Sequence, residues 1–298
     1  MTDCIKRFLS LQDVEYSEKF DIARLSSIGI GGRAKIAAMP NTEEKLKAVI
    51  DFLFDRSLPY KIVGRMTNIL PQDEDYDGVL ILTNRLNRYS VNENACSAQC
   101  GVVFSKMLYE ISALSLGGAS TLYGIPGSVG GMIVNNAGAF GNEISDFIIG
   151  ARIYDPRSKI IEYMSRDDLG FAYRSSKLRY SPLVIISADF SFIRSRENEI
   201  KNRLSEIITL RKSAQPYSEM SLGSVFKRTS DVSVGYLIDK LGFKGYSIGG
   251  AMISDKHAGF IVNSGGATAD DVKRLITFIK TKIKNEYGTE IEEEIEFM

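Results

Sequence analysis

The feature that most constrains this chain is a glycine-rich segment from Gly124 to Gly141. It holds six glycines, in the pattern Gly-Ile-Pro-Gly-Ser-Val-Gly-Gly followed by Asn-Asn-Ala-Gly-Ala-Phe-Gly. Glycine lacks a Cβ, so its backbone can approach a ligand closely and can adopt positive φ. A run of exposed backbone N–H groups forms a concave surface that binds phosphate oxygens. The segment therefore predicts a loop that contacts a dinucleotide phosphate, although a set of tight turns would need the same glycines.

Two common nucleotide-binding motifs do not match this segment. A Rossmann site has Gly-x-Gly-x-x-Gly between a strand and a helix, whereas the spacing here is Gly-x-x-Gly-x-x-Gly-Gly with Pro126 inside it. A Walker A loop ends in Gly-Lys-Ser or Gly-Lys-Thr, which the segment lacks. Two further loops, at 26–32 and 64–70, are candidates for the same ligand. Each of them alone is more typical of an ordinary turn.

Charge and composition argue against several classes of protein. Lys plus Arg and Asp plus Glu both total 37, so no net basic field would attract nucleic acid or an anionic membrane. The three cysteines lack Cys-x-x-Cys spacing, and a single histidine, His257, leaves no multi-histidine metal centre. No stretch approaches the ~18 consecutive apolar residues of a membrane span, and the N-terminus lacks a signal-peptide pattern. We expect a cytoplasmic enzyme of two or three domains.

Hydrophobic periodicity predicts a mixture of helices and strands. Apolar residues at helical spacing indicate helices at 42–56, 103–115, 200–211, 233–241 and 271–286. Asn41 and Glu44 are arranged like a capping box at the start of the first helix. Runs rich in β-branched and aromatic residues indicate strands at 60–63, 79–82, 147–154, 160–163, 183–193, 258–262 and 290–297. Because strands and helices do not alternate regularly, the pattern favours an α+β fold over a doubly wound sheet.

Taken in order, these motifs resemble those of the UDP-N-acetylenolpyruvoylglucosamine reductase family, flavoproteins that make UDP-N-acetylmuramate for bacterial peptidoglycan. The matching segments are Ile28–Gly32, Gly124–Gly131, Asn136–Gly141, Tyr173–Ser175, Gln215–Pro216, Gly223–Lys227, Leu237–Asp239, Lys244–Gly245 and Lys256–Phe260. The resemblance runs from about residue 20 to the C-terminus. The short link from Arg174 to Leu183 is similar to the shorter of the family's two types.

The resemblance implies a fold, a cofactor and a substrate. The fold would be α+β, with a vanillyl-alcohol-oxidase-like (PCMH-type) FAD-binding domain of two lobes, 1–85 and 86–195, and a C-terminal α+β substrate-binding domain, 196–298. FAD would bind non-covalently, NADPH would supply the hydride, and a UDP-sugar would be the substrate of a monomer without nucleic-acid or membrane partners. The implied FAD-binding residues are Gly29, Gly31, Gly32, Gly64, Thr67, Asn68, Gly124, Ile125, Pro126, Gly127, Ser128, Val129, Gly130, Asn136, Gly138 and Ala139.

The resemblance also assigns three catalytic residues. Hydride addition to an enol ether conjugated with a carboxylate builds negative charge on that carboxylate, so the site needs a cation, a positioned acid and a proton donor. Arg174 would stabilise the developing enolate, which suits a permanently charged fork of donors. Ser224 would protonate the carbanion carbon. Glu292 would work with the arginine at the reacting carboxylate, and only its register from Gly288 distinguishes it from the neighbouring glutamates.

Three further residues are implied in substrate binding: Tyr173, Lys227 and Lys244. Lys244 lies where the family has a lysine near the substrate's diphosphate, and Lys227 is a candidate to assist Ser224. His257 is interpreted as structural.

The chain departs from the family pattern at a few positions. In the second loop, Gly64, Arg65 and Met66 stand where the family has Gly-x-Gly ahead of Ser-Asn. Met66 therefore replaces the second glycine, and we expect weaker flavin binding. Ala214 stands where a basic residue is common, Asn135 replaces a usual methionine, and Thr229 replaces a proline. All three catalytic positions are filled.

Two other functions remain open on the sequence alone. One is an oxidase of the same fold that passes electrons to O₂. The other is a flavin- or nucleotide-binding module without catalysis, for which Met66 is the best support.

Overall fold

The computed structural model describes residues 2–229 and 232–298. Its helices are α1 (Thr2–Leu11), α2 (Glu43–Phe54), α3 (Phe104–Ser112), α4 (Val129–Val134), α5 (Glu197–Ala214), α6 (Val234–Lys240) and α7 (Ala269–Tyr287). Its strands are β1 (Glu15–Asp21), β2 (Arg33–Met39), β3 (Tyr60–Val63), β4 (Ile69–Leu70), β5 (Tyr76–Leu82), β6 (Tyr89–Asn92), β7 (Ala95–Gln99), β8 (Leu116–Gly117), β9 (Gly138–Ala139), β10 (Asn142–Glu143), β11 (Ile148–Asp155), β12 (Ile160–Ser165), β13 (Val184–Ser191), β14 (Ile193–Arg194), β15 (Ser221–Ser224), β16 (Ser247–Ile248), β17 (Ala251–Ile253), β18 (Phe260–Asn263) and β19 (Glu296–Phe297). The α+β class is confirmed.

The chain divides into two units, of which the first comprises Met1–Glu18, Lys35–Arg65 and Asp77–Thr209. Its main sheet has five antiparallel strands in the order β12-β11-β13-β7-β6. A four-stranded sheet, β1-β2-β5-β3, belongs mainly to this unit and contains the parallel pair β3 and β5. The predicted apolar stripe of α3 is buried in the same core as Phe190 and Phe192.

The second unit comprises Lys19–Ala34, Met66–Tyr76 and Leu210–Met298. It contains an antiparallel sheet in the order β15-β18-β17-β16 and a short parallel pair of β4 and β19. The apolar stripe of α7 forms much of its core with α6 and the sheet. Helix α7 begins in a capping box of Thr268 and Asp271 and ends at Gly288, whose φ of 64° suits glycine.

The predicted capping of α2 was wrong by one residue. The N-cap is Thr42, whose hydroxyl accepts the N–H of Lys45 at 3.3 Å, so Asn41 and Glu44 do not form the box. Asn and Thr both cap helices well, and the two adjacent candidates differ only in which one reaches the third amide of the helix.

The predicted C-terminal strand over 290–297 was also wrong in extent. Only Glu296–Phe297 forms a strand, and Glu293 makes a single bridge to Phe226. Ile291 and Ile295 are buried as alternation predicts, but Phe297 is 45% exposed. Five glutamates in the eight residues 290–297 oppose continuous strand pairing because Glu has a low strand propensity.

Some elements lacked a sequence signal. Strand β7 buries the small residues Cys96 and Ala98, so it carries no strong periodic pattern. Helix α1 was not predicted, although Ile5, Phe8 and Leu9 follow helical spacing and pack into the core. Among the described residues, the structure contains no helix that is both long and apolar enough to cross a membrane.

Candidate functional site

The glycine-rich segment is not the continuous loop that its composition predicts. A turn leads into helix α4, for which the Ser128 hydroxyl accepts the N–H of Gly131 at 3.3 Å, and the segment ends in the hairpin of β9 and β10. The helix escaped prediction because glycine and β-branched residues have low helix propensity and six residues give little periodicity.

Most backbone N–H groups at the start of this segment already have partners inside the protein. The amides of Gly124, Ile125, Val129, Gly130 and Gly131 donate to protein acceptors. Between positions 124 and 131, all of which the structure describes, only the amides of Gly127 and Ser128 have no acceptor, and both residues are buried. Buried N–H groups are nearly always paired. Two adjacent unpaired amides therefore fit a phosphate oxygen of a bound dinucleotide.

The second loop approaches this segment at Gly64. A Cβ on Gly64 would overlap the Ser128 hydroxyl, so any other residue would displace the hydroxyl that caps α4. The Thr83 hydroxyl donates to the Val63 carbonyl at 3.3 Å just before the loop. Two of the predicted FAD-binding segments thus lie side by side in the first unit.

The end of the glycine-rich segment is a tight hairpin held by Asn136. Gly138 and Ala139 form β9, and a Cβ on Gly138 would lie 2.5 Å from the Asn142 carbonyl oxygen. The Asn136 side chain is 1% exposed and donates to Glu143 Oε2 at 2.6 Å and to the Ala172 carbonyl at 3.0 Å. Its amide group therefore fixes the loop from within the protein.

Arg174 is directed onto this hairpin. It follows Tyr173 in a turn closed by two backbone hydrogen bonds between Ala172 and Ser175, and its φ is 54°. Its guanidinium donates to Glu143 Oε1 at 3.0 Å and to the Gly138 carbonyl at 2.7 Å. The guanidinium carbon lies 4.9 Å from the centroid of the Tyr173 ring, a cation–π distance. The predicted catalytic arginine is thus held in one orientation.

Glycines in the first predicted loop are required by packing inside the second unit. A Cβ on Gly29 would lie 2.7 Å from the Met220 sulfur, and one on Gly31 would lie 2.9 Å from Ile22. A Cβ on Gly32 would overlap the Glu74 carbonyl. Close packing explains these glycines without a ligand, so their predicted role in FAD binding stays a prediction.

Met66 takes over the backbone conformation that glycine would have. Its φ is 47°, and its side chain is 2% exposed. Its carbonyl accepts the Ser27 N–H at 3.4 Å. Asn68, after Thr67, donates from its side chain to the Glu294 carbonyl at 3.2 Å, and its own carbonyl accepts the Glu296 N–H at 2.8 Å. The loop keeps a left-handed turn at Met66 and is anchored to the C-terminal segment.

Ser224 ends strand β15 at an irregularity. The register of β15 against β18 shifts between Ser221 and Ser224, where Gly223 has a φ of 80°. A bulge of this kind redirects the next side chain, and such bulges are common beside active sites. The Ser224 hydroxyl makes a long hydrogen bond of 3.4 Å to the Phe226 carbonyl.

Lys227, three residues after Ser224, forms an ion pair with Glu292. The Lys227 ammonium donates to Glu292 Oε2 at 2.9 Å, and its backbone N–H donates to the Glu292 carbonyl at 3.0 Å. The hydrogen bond from this ammonium, and then its charge, lower the pKa of Glu292. The Glu292 side chain is 76% exposed. The carboxylate is therefore ionised at neutral pH and accessible to a ligand.

Lys244 and His257 also lie in the second unit. The Lys244 ammonium donates to Asp239 Oδ2 at 2.9 Å. His257 Nδ1 accepts the Gly259 N–H at 3.1 Å, which fits the predicted structural role. Burial, and more weakly the charge of Lys244, lower the pKa of His257.

The structure brings together several of the predicted residues within each unit. In the first, Gly64 packs against Ser128, and Arg174 contacts Gly138 and the backbone carbonyl of Asn136. In the second, Ser224 and Lys227 lie on a segment that pairs with the one containing Glu292. Glu143 is the residue that the sequence did not indicate, because a glutamate in a polar hairpin gives no signal by itself.

Comparisons with known proteins identify the family of the chain. Residues 34–163 match the family "FAD binding domain", and residues 215–298 match "UDP-N-acetylenolpyruvoylglucosamine reductase, C-terminal domain". The chain is 42% identical over 285 residues to the UDP-N-acetylenolpyruvoylglucosamine reductase of Thermotoga sp. (strain RQ2), covering 95% of this chain and 93% of that one. It is 35% identical over 291 residues to the reductase of Clostridioides difficile (strain 630), covering 97% and 95%.

Solved structures give the same result at the level of the fold. The crystal structure of UDP-N-acetylenolpyruvylglucosamine reductase from Thermus caldophilus superposes with a TM-score of 0.80 at 29% identity, covering 95% of this chain and 98% of that chain. Berberine bridge enzyme from Eschscholzia californica superposes with a TM-score of 0.50 at 15% identity, over 65% of this chain and 44% of that chain. The second likeness concerns the fold alone, and the predicted PCMH-type FAD-binding fold is confirmed.

Proposed function

Because the chain belongs to the UDP-N-acetylenolpyruvoylglucosamine reductase family, we propose that it reduces UDP-N-acetylglucosamine enolpyruvate to UDP-N-acetylmuramate, a step in peptidoglycan precursor synthesis. The observation that carries the proposal is the 42% identity to a family member over nearly the whole chain. The three catalytic positions of the family are occupied by Arg174, Ser224 and Glu292. The enzyme is an FAD-dependent oxidoreductase that uses NADPH. We further propose that it acts as a monomer, with FAD-binding lobes at 1–85 and 86–195 and a substrate domain at 196–298.

The flavin supplies the hydride chemistry. When bound, FAD would supply hydride transfer from NADPH to the enolpyruvyl double bond. The buried backbone amides of Gly127 and Ser128 would donate hydrogen bonds to the cofactor's pyrophosphate. Backbone N–H groups alone can bind phosphate oxygens, so no side chain is needed for this contact. The remaining residues proposed for FAD binding are those named from the family resemblance.

The chain's own residues would manage charge and protons. As hydride adds to the double bond, negative charge develops on the substrate carboxylate, and the Arg174 guanidinium would stabilise it. The Ser224 hydroxyl would donate the proton that completes the new C–H bond. Glu292 is ionised at neutral pH through its pairing with Lys227 and would act at the reacting carboxylate. The Lys227 ammonium would assist Ser224. Lys244 would contact the substrate's diphosphate, and Tyr173 would contact the substrate.

Steady-state kinetics test this function. The purified protein should carry flavin absorbance and oxidise NADPH only when the enolpyruvyl nucleotide is present. Arg174→Ala and Ser224→Ala should each lower kcat by at least ~10²-fold, the scale of a lost transition-state donor. NADPH oxidation that ignores the nucleotide and consumes O₂ would identify an oxidase instead. Unchanged turnover in both variants would show that the reaction does not use these residues.

A further inference from the structure

We propose that Glu143 is a positioning residue that holds the Arg174 guanidinium in the orientation needed at the substrate carboxylate. The inference rests on the proposed function, because it takes Arg174 as the group that meets the developing enolate. It concerns a residue for which neither the motifs nor the comparisons assign a role.

The hydrogen bonds that Arg174 donates include bonds to three oxygens of the hairpin region. Its Nη1 donates to Glu143 Oε1 at 3.0 Å and to the Asn136 carbonyl at 3.4 Å, and its Nη2 donates to the Gly138 carbonyl at 2.7 Å. The Arg174 side chain is 15% exposed. Acceptors on both terminal nitrogens fix the plane of a guanidinium as well as its position. Glu143 is the only charged partner among these three.

Glu143 is itself fixed by a second hydrogen bond, so it can hold the Arg174 side chain in place. Its Oε2 accepts the Asn136 side-chain N–H at 2.6 Å, and the same amide donates to the Ala172 carbonyl two residues before Arg174. The Asn136 side-chain oxygen accepts the Ser145 N–H at 3.3 Å. The hairpin and the Arg174 turn are therefore joined by a closed set of hydrogen bonds through Glu143.

A charged partner has a specific effect here. A free arginine side chain loses rotamer entropy when it is fixed, and an arginine already held by its surroundings does not lose that entropy during the reaction. Gln at position 143 keeps the size of the side chain but has one acceptor oxygen in place of two. Its NH2 group would face an N–H of either Arg174 or Asn136, and the negative charge beside the guanidinium is lost. Glu143→Gln should therefore leave the guanidinium more mobile while the fold persists.

Stopped-flow measurement of the two half-reactions tests this role. In Glu143→Gln, anaerobic reoxidation of the reduced flavin by the enolpyruvyl nucleotide should slow about tenfold or more, as expected for a misplaced catalytic group. Reduction of the flavin by NADPH and the flavin content should stay within about twofold, because Arg174 acts on the substrate carboxylate. The matched control is Glu43→Gln, which removes a bidentate partner of Arg152 at 2.8 and 2.9 Å in the same unit. The control should leave both half-reactions unchanged.

A double-mutant cycle separates positioning from a general structural effect. If Glu143 acts through Arg174, Glu143→Gln should add no further slowing in the Arg174→Ala background. Additive slowing, equal slowing of both half-reactions, loss of flavin, misfolding, or an unchanged reoxidation rate in Glu143→Gln would each overturn the proposal. Failure of the wild-type protein to reoxidise its flavin with the nucleotide would instead refute the proposed function.

Discussion

At the scale of single residues, Arg174 occupies a backbone conformation that side chains with a Cβ avoid. Its φ of 54° lies in the left-handed region, which costs non-glycine residues about 1–2 kcal/mol. Strain of this kind persists where the surroundings enforce it, and it is concentrated at functional sites. The hydrogen bonds from the guanidinium to the hairpin at 138–143 supply that enforcement.

A pair of substitutions at this position separates strain from function. Arg174→Ala and Arg174→Gly both remove the side chain, but only glycine relieves the positive φ. We expect Arg174→Gly to be more stable than Arg174→Ala by about 1 kcal/mol, or about 2 °C in melting temperature, while both lose activity. Differential scanning calorimetry measures the difference. Equal melting temperatures would show that no strain is stored at this turn.

The single histidine gives a second prediction, for pH. Burial lowers the folded-state pKa of His257 below its ordinary value of about 6.5. The unfolded chain therefore binds the extra proton first, so stability from this group is complete above about pH 6.5 and declines as pH falls towards the lowered pKa. Asp239 partly opposes this shift and Lys244 reinforces it.

Melting temperature as a function of pH, with His257→Gln as the comparison, measures this effect. The wild-type protein should lose more stability than the variant between about pH 7 and pH 5. Because the chain has one histidine, NMR titration of its ring signals reads the same pKa directly. Parallel stability curves would contradict the prediction.

The sequence could indicate functional residues that lie in a motif, but not residues whose role depends on a contact with a distant part of the chain. Arg174 lies in a recognisable Tyr-Arg-Ser motif, whereas Glu143 is identified only by a contact across 31 positions of chain. The glycines at 29, 31 and 32 were predicted to bind FAD, which stays a prediction, and the sequence could not reveal that they pack against Met220, Ile22 and Glu74. The same limit concealed that Met66 keeps the left-handed backbone of the glycine it replaces.

At the scale of elements, the hairpin of β9 and β10 is the support for the candidate site. Its two strands approach so closely at Gly138 that a Cβ would lie 2.5 Å from the Asn142 carbonyl oxygen. Gly138→Ala should therefore destabilise the protein by about 2 kcal/mol, the usual cost of overpacking, and displace the Arg174 guanidinium.

Gly141 provides the matched control in the same hairpin. Its φ is 86°, but nothing lies within 4 Å of an added Cβ, so Gly141→Ala should cost about 1 kcal/mol from backbone strain alone. Calorimetry and kcat measured on both variants check the difference. A Gly138→Ala variant as stable and active as Gly141→Ala would contradict the close packing of the hairpin.

Periodicity identified the long helices and failed for short or polar elements. Helices α3, α5, α6 and α7 were predicted within a few residues because each buries an apolar stripe. Helix α4 and strand β19 are too short to show a period, and the glutamates from 290 to 296 imitate a strand face that forms only at its end. Tertiary pairing determines such elements more than local pattern does.

At the scale of the whole molecule, the matched motifs are distributed over both units. The FAD-binding motif, the hairpin and Arg174 belong to the first unit, while Ser224, Lys227, Lys244 and Glu292 belong to the second. The sequence order of the motifs identified the family, because an ordered set is far more specific than any one loop. The non-consecutive composition of each unit was not evident from sequence, since segments such as 19–34 join the second unit through long-range contacts.

An anaerobic single turnover tests the central claim, that this chain is a reductase of the enolpyruvyl nucleotide, most directly. The purified protein is bleached with one equivalent of NADPH, and UDP-N-acetylglucosamine enolpyruvate is then added without oxygen. We predict that one equivalent of the nucleotide restores the oxidised flavin spectrum and yields UDP-N-acetylmuramate. A spectrum that stays bleached until air is admitted would contradict the account.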